Sequence, residues 1–175
     1  LEKFKFTLSD TELVTNGDFE SDSNWNFTTG GQTVEITNGG LRIASDGTFA
    51  SAQQTIQVVA GKRYSITGDI SVTSGSGSLV IDSNQFNYTS SQSFSETFIA
   101  SLSGGAALQL KRTSGGSASD FIFDNISVKE VTKQAPVAAF SLRKLGDVSP
   151  YAARIRRSSD NTEAQVMFDA SNRVS

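Results

Sequence analysis

Two stretches of this chain carry residue types whose spacing could do chemistry. "NQFNYTSSQ", residues 84 to 92, sets Phe86 and Tyr88 two apart, with Asn84, Gln85, Asn87 and Gln92 around them. On a strand that spacing puts both rings on one face. An aromatic pair beside planar amides can bind a sugar, and Tyr64 is a third aromatic candidate. The same pair also reads as a hairpin held by a cross-strand contact. "NGDFESDSNW", residues 16 to 25, gathers Asp18, Glu20 and the only tryptophan, Trp25. It reads as a sugar site, a metal site or the start of a core. Large aromatics serve cores more often than ligands. Phe19, Phe49, Phe94, Phe98, Phe121 and Phe123 need no polar partner and read as core fillers.

Much other chemistry is excluded. The chain has no histidine and no cysteine, which removes the commonest general base, the Ser–His pair and thiolate metal sites. Carboxylates alone can run glycosidase chemistry. No stretch here places one in an apolar pocket that would raise its pKa. "TSGSGSL" lacks the lysine of a phosphate loop. The net charge of −3 implies no general attraction to nucleic acid. "RIRRSSD" is basic but lacks interleaved aromatics. Apolar runs are far too short to cross a membrane. No enzyme, no nucleic-acid partner and no membrane are expected.

The elements that must position these residues are strands. "VEITNGGLRI" alternates, turns at Asn-Gly and alternates again, which predicts a hairpin. "RYSITGDISV" sends Tyr64, Ile66, Gly68, Ile70 and Val72 to one face. Short apolar segments then recur at even spacing between Gly and Ser turns. About ten short strands with no helical period predict an all-β fold, a sandwich or barrel. The reading divides the chain into a lead-in over 1–11, one β domain over 12–132, and a basic segment over 133–175. That last segment reads as the start of a second β domain or an assembly arm.

The last strand of the main domain, "FIFDNISV", carries a local conflict. Phe121 and Phe123 are odd-numbered and Ile126 and Val128 even-numbered, so a regular strand cannot bury both pairs. A bulge is predicted at Asp124-Asn125. It would free backbone carbonyls beside a carboxylate, which suits the oxygen ligands of calcium. The Asn16-Gly17-Asp18 turn could add further oxygens.

From residue 12 to about 131 the chain resembles the jelly-roll carbohydrate-binding modules of the family 4/9/22 group. The opening "LVTNGDFESDSNW" is similar to their first strand, and the closing "FIFDNISVKEV" to their last. The resemblance implies an antiparallel jelly-roll β-sandwich with a short C-terminal extension. It also implies Trp25 under the sheet and one structural calcium held by Glu20 and Asp124, with Asp18 nearby. Modules of this appearance also occur in bacteriophage tail and head proteins. The tail, "AAFSLRKLG" through "YAARIRRSSDNTEAQVMFD", resembles the start of an arabinofuranosidase-like domain of phage virion proteins. Together the two resemblances imply a virion structural protein of a fibre, tail or head decoration. Its implied partners are other virion subunits and a host surface polysaccharide, and a homo-oligomer such as a trimer is expected. The alternatives are a binding module of a secreted bacterial glycoside hydrolase and a surface adhesin domain.

Overall fold

The computed structural model describes residues 5–134, apart from 114 and 116, and two further strands, Ala152–Arg156 and Glu163–Met167. Expectations attached to the rest of the tail lie outside the described residues. The chain divides into two compact units, Leu1–Pro136 and Val137–Ser175. Within the second, β12 (Ala152–Arg156) and β13 (Glu163–Met167) pair antiparallel.

The first unit is all β. Its eleven strands are β1 (Lys5–Leu8), β2 (Asn26–Thr28), β3 (Thr33–Thr37), β4 (Gly40–Ser45), β5 (Ser51–Val58), β6 (Arg63–Ser74), β7 (Gly77–Ile81), β8 (Asn84–Tyr88), β9 (Gln92–Ile99), β10 (Gly104–Arg112) and β11 (Ser119–Gln134). One sheet runs β3-β4-β11-β6-β9, with β1 also on β11. The other runs β2-β5-β10-β7-β8. All pairings are antiparallel. The inner faces meet in one apolar layer, as a sandwich requires. Leu41, Ile43, Ile66, Phe121 and Phe123 of the first sheet meet Leu79, Ile81, Leu108 and Leu110 of the second.

Local sequence explains the joints. Asn38 and Gly39 both take positive φ, 52° and 69°, which is the two-residue turn that the β3–β4 hairpin needs. β11 is the spine of the first sheet. Its register against β6 slips between Asp124 and Ser127, and Asn125 has a φ of 53°. The bulge restores parity, so Phe121, Phe123, Ile126 and Val128 are all buried. The lead-in residues are not a free tether, because β1 pairs with the end of β11, Lys5 opposite Gln134 and Leu8 opposite Val131. The expected opening strand at Leu13-Val14 is instead an irregular run. It follows β11 through single hydrogen bonds, Leu13 N to the Val128 carbonyl at 3.0 Å and Ile126 N to the Gly17 carbonyl at 2.8 Å.

Candidate functional site

The loop at residues 16 to 25 is mostly architecture. Asn16 is its hub: Nδ2 donates to the carbonyls of Ser21 (2.6 Å) and Ser23 (2.9 Å), and Oδ1 accepts from Ser21 N (3.2 Å). Trp25 Nε1 donates to the Asn16 carbonyl at 3.0 Å, and the Trp25 ring packs 5.3 Å from Phe19. Both rings are buried. Phe19 sits at a φ of 50°, rare for a bulky side chain. The backbone is strained here so that Phe19 enters the core while Asp18 and Glu20 stay outside.

The three calcium candidates do not form one carboxylate cluster. Among the described residues no three acidic side chains gather in a group that could hold a metal. Asp18 lines an open cleft of about 330 Å³ with Glu12, Asn16 and Asn125. Glu20 reaches the β3–β4 hairpin, where a Cβ on Gly39 would lie 3.4 Å from its Oε1. The adjoining Gly40 abuts the carbonyl of Phe123, the residue before Asp124. Asp124 accepts from its neighbour Asn125, at 2.6 Å from N and 3.1 Å from Nδ2. Asn125 Nδ2 also donates to Asp69 at 3.0 Å. A site at Glu20 and Asp124 therefore fits only with backbone carbonyls completing the shell.

The sugar candidates fare differently. Tyr64 and Tyr88 are 2% and 3% exposed, so neither ring offers a face to a ligand. Tyr64 stacks on Phe98 at 5.3 Å, and its hydroxyl accepts from Val59 N at 2.9 Å. Tyr88 stacks across the sandwich on Phe94 at 4.6 Å. Its hydroxyl has no partner, and burial raises its pKa. Phe86 is partly buried against the same core. Phe86 and Tyr88 do share one face, but it is the inner one. Asn84 sits at the end of β8, while Gln92 lies on β9 of the other sheet, so the five residues are not brought together.

What the fold does assemble is the outer face of the second sheet. Register places Asn26, Gln53, Gln109, Val80 and Gln85 in one row across all five strands. At ordinary strand spacing such a row spans about 19 Å. The next row is Thr28, Ser51, Lys111, Ser78 and Asn87. Thr55 and Gln57 continue β5 outward. Ser51 and Ser78 belong to this outer face by alternation, yet they are 1% and 0% exposed. Neighbouring side chains cover both serines, and Thr28 and Asn87 are exposed at the rims of the face.

The polar groups on this face are largely uncommitted. Gln109 Nε2 donates to Ser51 Oγ at 3.4 Å, and Ser78 Oγ and Gln85 Nε2 donate to Asn87 Oδ1 at 2.5 and 2.8 Å. Among the described residues, the side chains of Asn26, Gln53, Gln57 and Lys111 have no hydrogen-bond or ion-pair partner. Each amide presents a donor and an acceptor side by side, the pattern that adjacent hydroxyls complete. Phe49, expected in the core, is 43% exposed just before β5. Of this face the sequence singles out Gln85 and Asn87 beside the aromatic pair and passes over the rest, because polar residues on a strand read as solvent filler. The available signal was the choice of glutamine, in "SAQQTIQV" and "ALQLKR", where serine or threonine would have served.

No family model matches the chain, and no curated protein does. Solved structures do. A CBM4 carbohydrate-binding module aligns with a TM-score of 0.51 at 18% identity, covering 66% of this chain and 98% of its own. The fold is the jelly roll of carbohydrate-binding modules. TmCBM61, solved with β-1,4-galactotriose, aligns with a TM-score of 0.50 at 13% identity over 68% of this chain and 98% of its own. The enzymatically active domain of bacteriophage CBA120 tailspike protein 4 gives 0.51 at 14% identity, over 68% of this chain and 21% of that one. At these identities the likeness speaks for the jelly roll alone.

Proposed function

We propose that the jelly roll is a non-catalytic glycan-binding module that uses the outer face of its second sheet. The observation that carries this is the amide row Asn26–Gln53–Gln109–Gln85, set in register on an outer sheet face without charge in that row. Phe49 at the end of β5 supplies an exposed ring against which a sugar can pack. The likeness to a module solved with a β-galactan oligosaccharide supports the reading. Binding of the full chain to an array of bacterial and plant polysaccharides tests it. Gln53→Ala should weaken binding about threefold to tenfold, the loss of one or two neutral hydrogen bonds, with an unchanged melting temperature. Binding that ignores both Gln53→Ala and Gln109→Ala would move the site elsewhere.

The setting we propose is a phage virion, with host-glycan attachment or subunit cementing as the task and self-association of the chain. The tailspike likeness supports it. The likeness to BiXyn10A CBM1 supports the alternative, a module of a secreted glycoside hydrolase (TM-score 0.50, 12% identity). Antibody labelling of purified particles separates the two. The proposal includes a structural calcium held by Glu20, Asp124 and neighbouring carbonyls. It would tie the opening loop to the last strand through hard oxygen ligands. Asp18 is left out, because it lines the cleft with Glu12 and Asn125.

A further inference from the structure

Charge is divided unevenly between the two sheets. Glu35, Asp69, Glu96, Asp120, Asp124 and Glu130 all lie on strands of the first sheet. The five strands of the second sheet contain no carboxylate at all, in a chain of net charge −3. They do contain two cations, Lys111 and Arg112. Arg112 is committed to structure, since its Nε donates to the Thr48 carbonyl at 2.7 Å and Nη1 to that of Thr113 at 3.0 Å. Lys111 is different. It stands mid-row on β10 with Ser51 on one side and Ser78 on the other, and has no partner among the described residues.

An unpartnered ammonium group on a carboxylate-free sheet is a site for an anion. The flanking Ser51 and Ser78 are buried and carry no counter-charge, and the exposed Asn87 has an amide nitrogen that can donate to an anionic oxygen. On the first sheet Arg42 is answered by Asp120 and Glu35, at 2.9 and 3.4 Å, and Lys62 by Glu130 at 2.7 Å. A lone lysine matches one singly charged substituent, and it lacks the fork geometry that grips a phosphate bidentately.

From this placement we infer that the glycan bound on the second sheet is acidic, and that a sugar carboxylate or sulfate sits at the Lys111 ammonium. The inference rests on the glycan-binding reading and narrows it to a substrate class. The test uses the full chain against two matched pairs, polygalacturonate with neutral galactan and dextran sulfate with dextran. The first pair probes carboxylate and the second sulfate. The acidic member of at least one pair should bind better than its neutral partner. Lys111→Gln should weaken that binding about tenfold, as loss of a charge-assisted hydrogen bond implies, without lowering the melting temperature. Lys129→Gln, on the first sheet, should leave it unchanged, and added salt should weaken it progressively. Neutral polymers bound as well as acidic ones, with Lys111→Gln silent, would overturn the inference and leave the glycan-binding reading standing. Acidic binding lost equally in Lys129→Gln would mean diffuse charge attraction and would also overturn it. If a broad glycan array gives no binding at all, both readings fall.

Discussion

Gly17→Ala tests how the opening loop is locked to the bulge. A Cβ at residue 17 would lie 1.9 Å from the Ile126 carbonyl oxygen and 3.1 Å from Val14 Cγ1. Carbon and oxygen settle at about 3.3 Å, so the two backbones must part by roughly 1.4 Å. The same two residues share a hydrogen bond, Ile126 N to the Gly17 carbonyl at 2.8 Å. A displacement of that size stretches it beyond any useful length. Overpacking costs about 1–3 kcal/mol and the lost bond about 1 kcal/mol, giving about 2–4 kcal/mol together. For a unit of this size the melting temperature should fall by roughly 10 °C. The assay is thermal denaturation of the full chain followed by far-UV circular dichroism. Gly105→Ala is the control, because its Cβ would meet side chains and no backbone, the Thr55 methyl at 2.9 Å and Gln57 Nε2 at 3.8 Å, on the outer face. It should cost far less. A loss below 2 °C for Gly17→Ala, or equal losses for both, would refute the reasoning.

Four further outcomes are expected. Tyr88→Phe removes a buried hydroxyl that has no partner and should raise stability by about 1 kcal/mol in urea denaturation. Tyr88→Ala should cost about 3–5 kcal/mol, so its effect on sugar binding would report the core and not a contact. Asp69 and Asp82 have pKa values lowered chiefly by the hydroxyls of Ser93 and Ser101. A depressed carboxylate contributes stability that is present above its unfolded value of about 3.9 and is lost as pH falls through the lower folded value. With no histidine in the chain, the melting temperature should be flat from about pH 5 to 8 and fall below about pH 4. A step near pH 6.5 would contradict this. Calcium at a hundredfold excess over its dissociation constant should stabilise the wild type by about 2.7 kcal/mol relative to chelator, and Glu20→Gln should remove that difference. Identical melting curves with calcium and with chelator would dismiss the site.

The sequence by itself determined the class of the fold and several of its joints. Alternation in "RYSITGDISV" reports the inward set of β6, because a strand has only two sides. The Asn-Gly pair at residues 38 and 39 predicts the hairpin, because few other residues tolerate both positive φ values. The parity clash in "FIFDNISV" predicts the bulge, since only an extra residue lets both apolar pairs reach one core. Tertiary structure decided the candidate site. In "SAQQTIQV" Gln53 faces outward, whereas Gln54 is buried. Gln54 exchanges hydrogen bonds of 2.8 Å with Thr15 N and the Thr15 carbonyl. Alternation with Ala52, Ile56 and Val58 turns Gln54 inward, but the partner that satisfies it there comes from 39 residues away. Tyr64 and Tyr88 read equally well as exposed or buried until the two sheets pack face to face. The amide row exists only through register. Gln53, Gln109 and Gln85 become neighbours because β5, β10, β7 and β8 pair at one particular offset. Burial of each strand's apolar set fixes that offset, and the polar residues that form the site follow it.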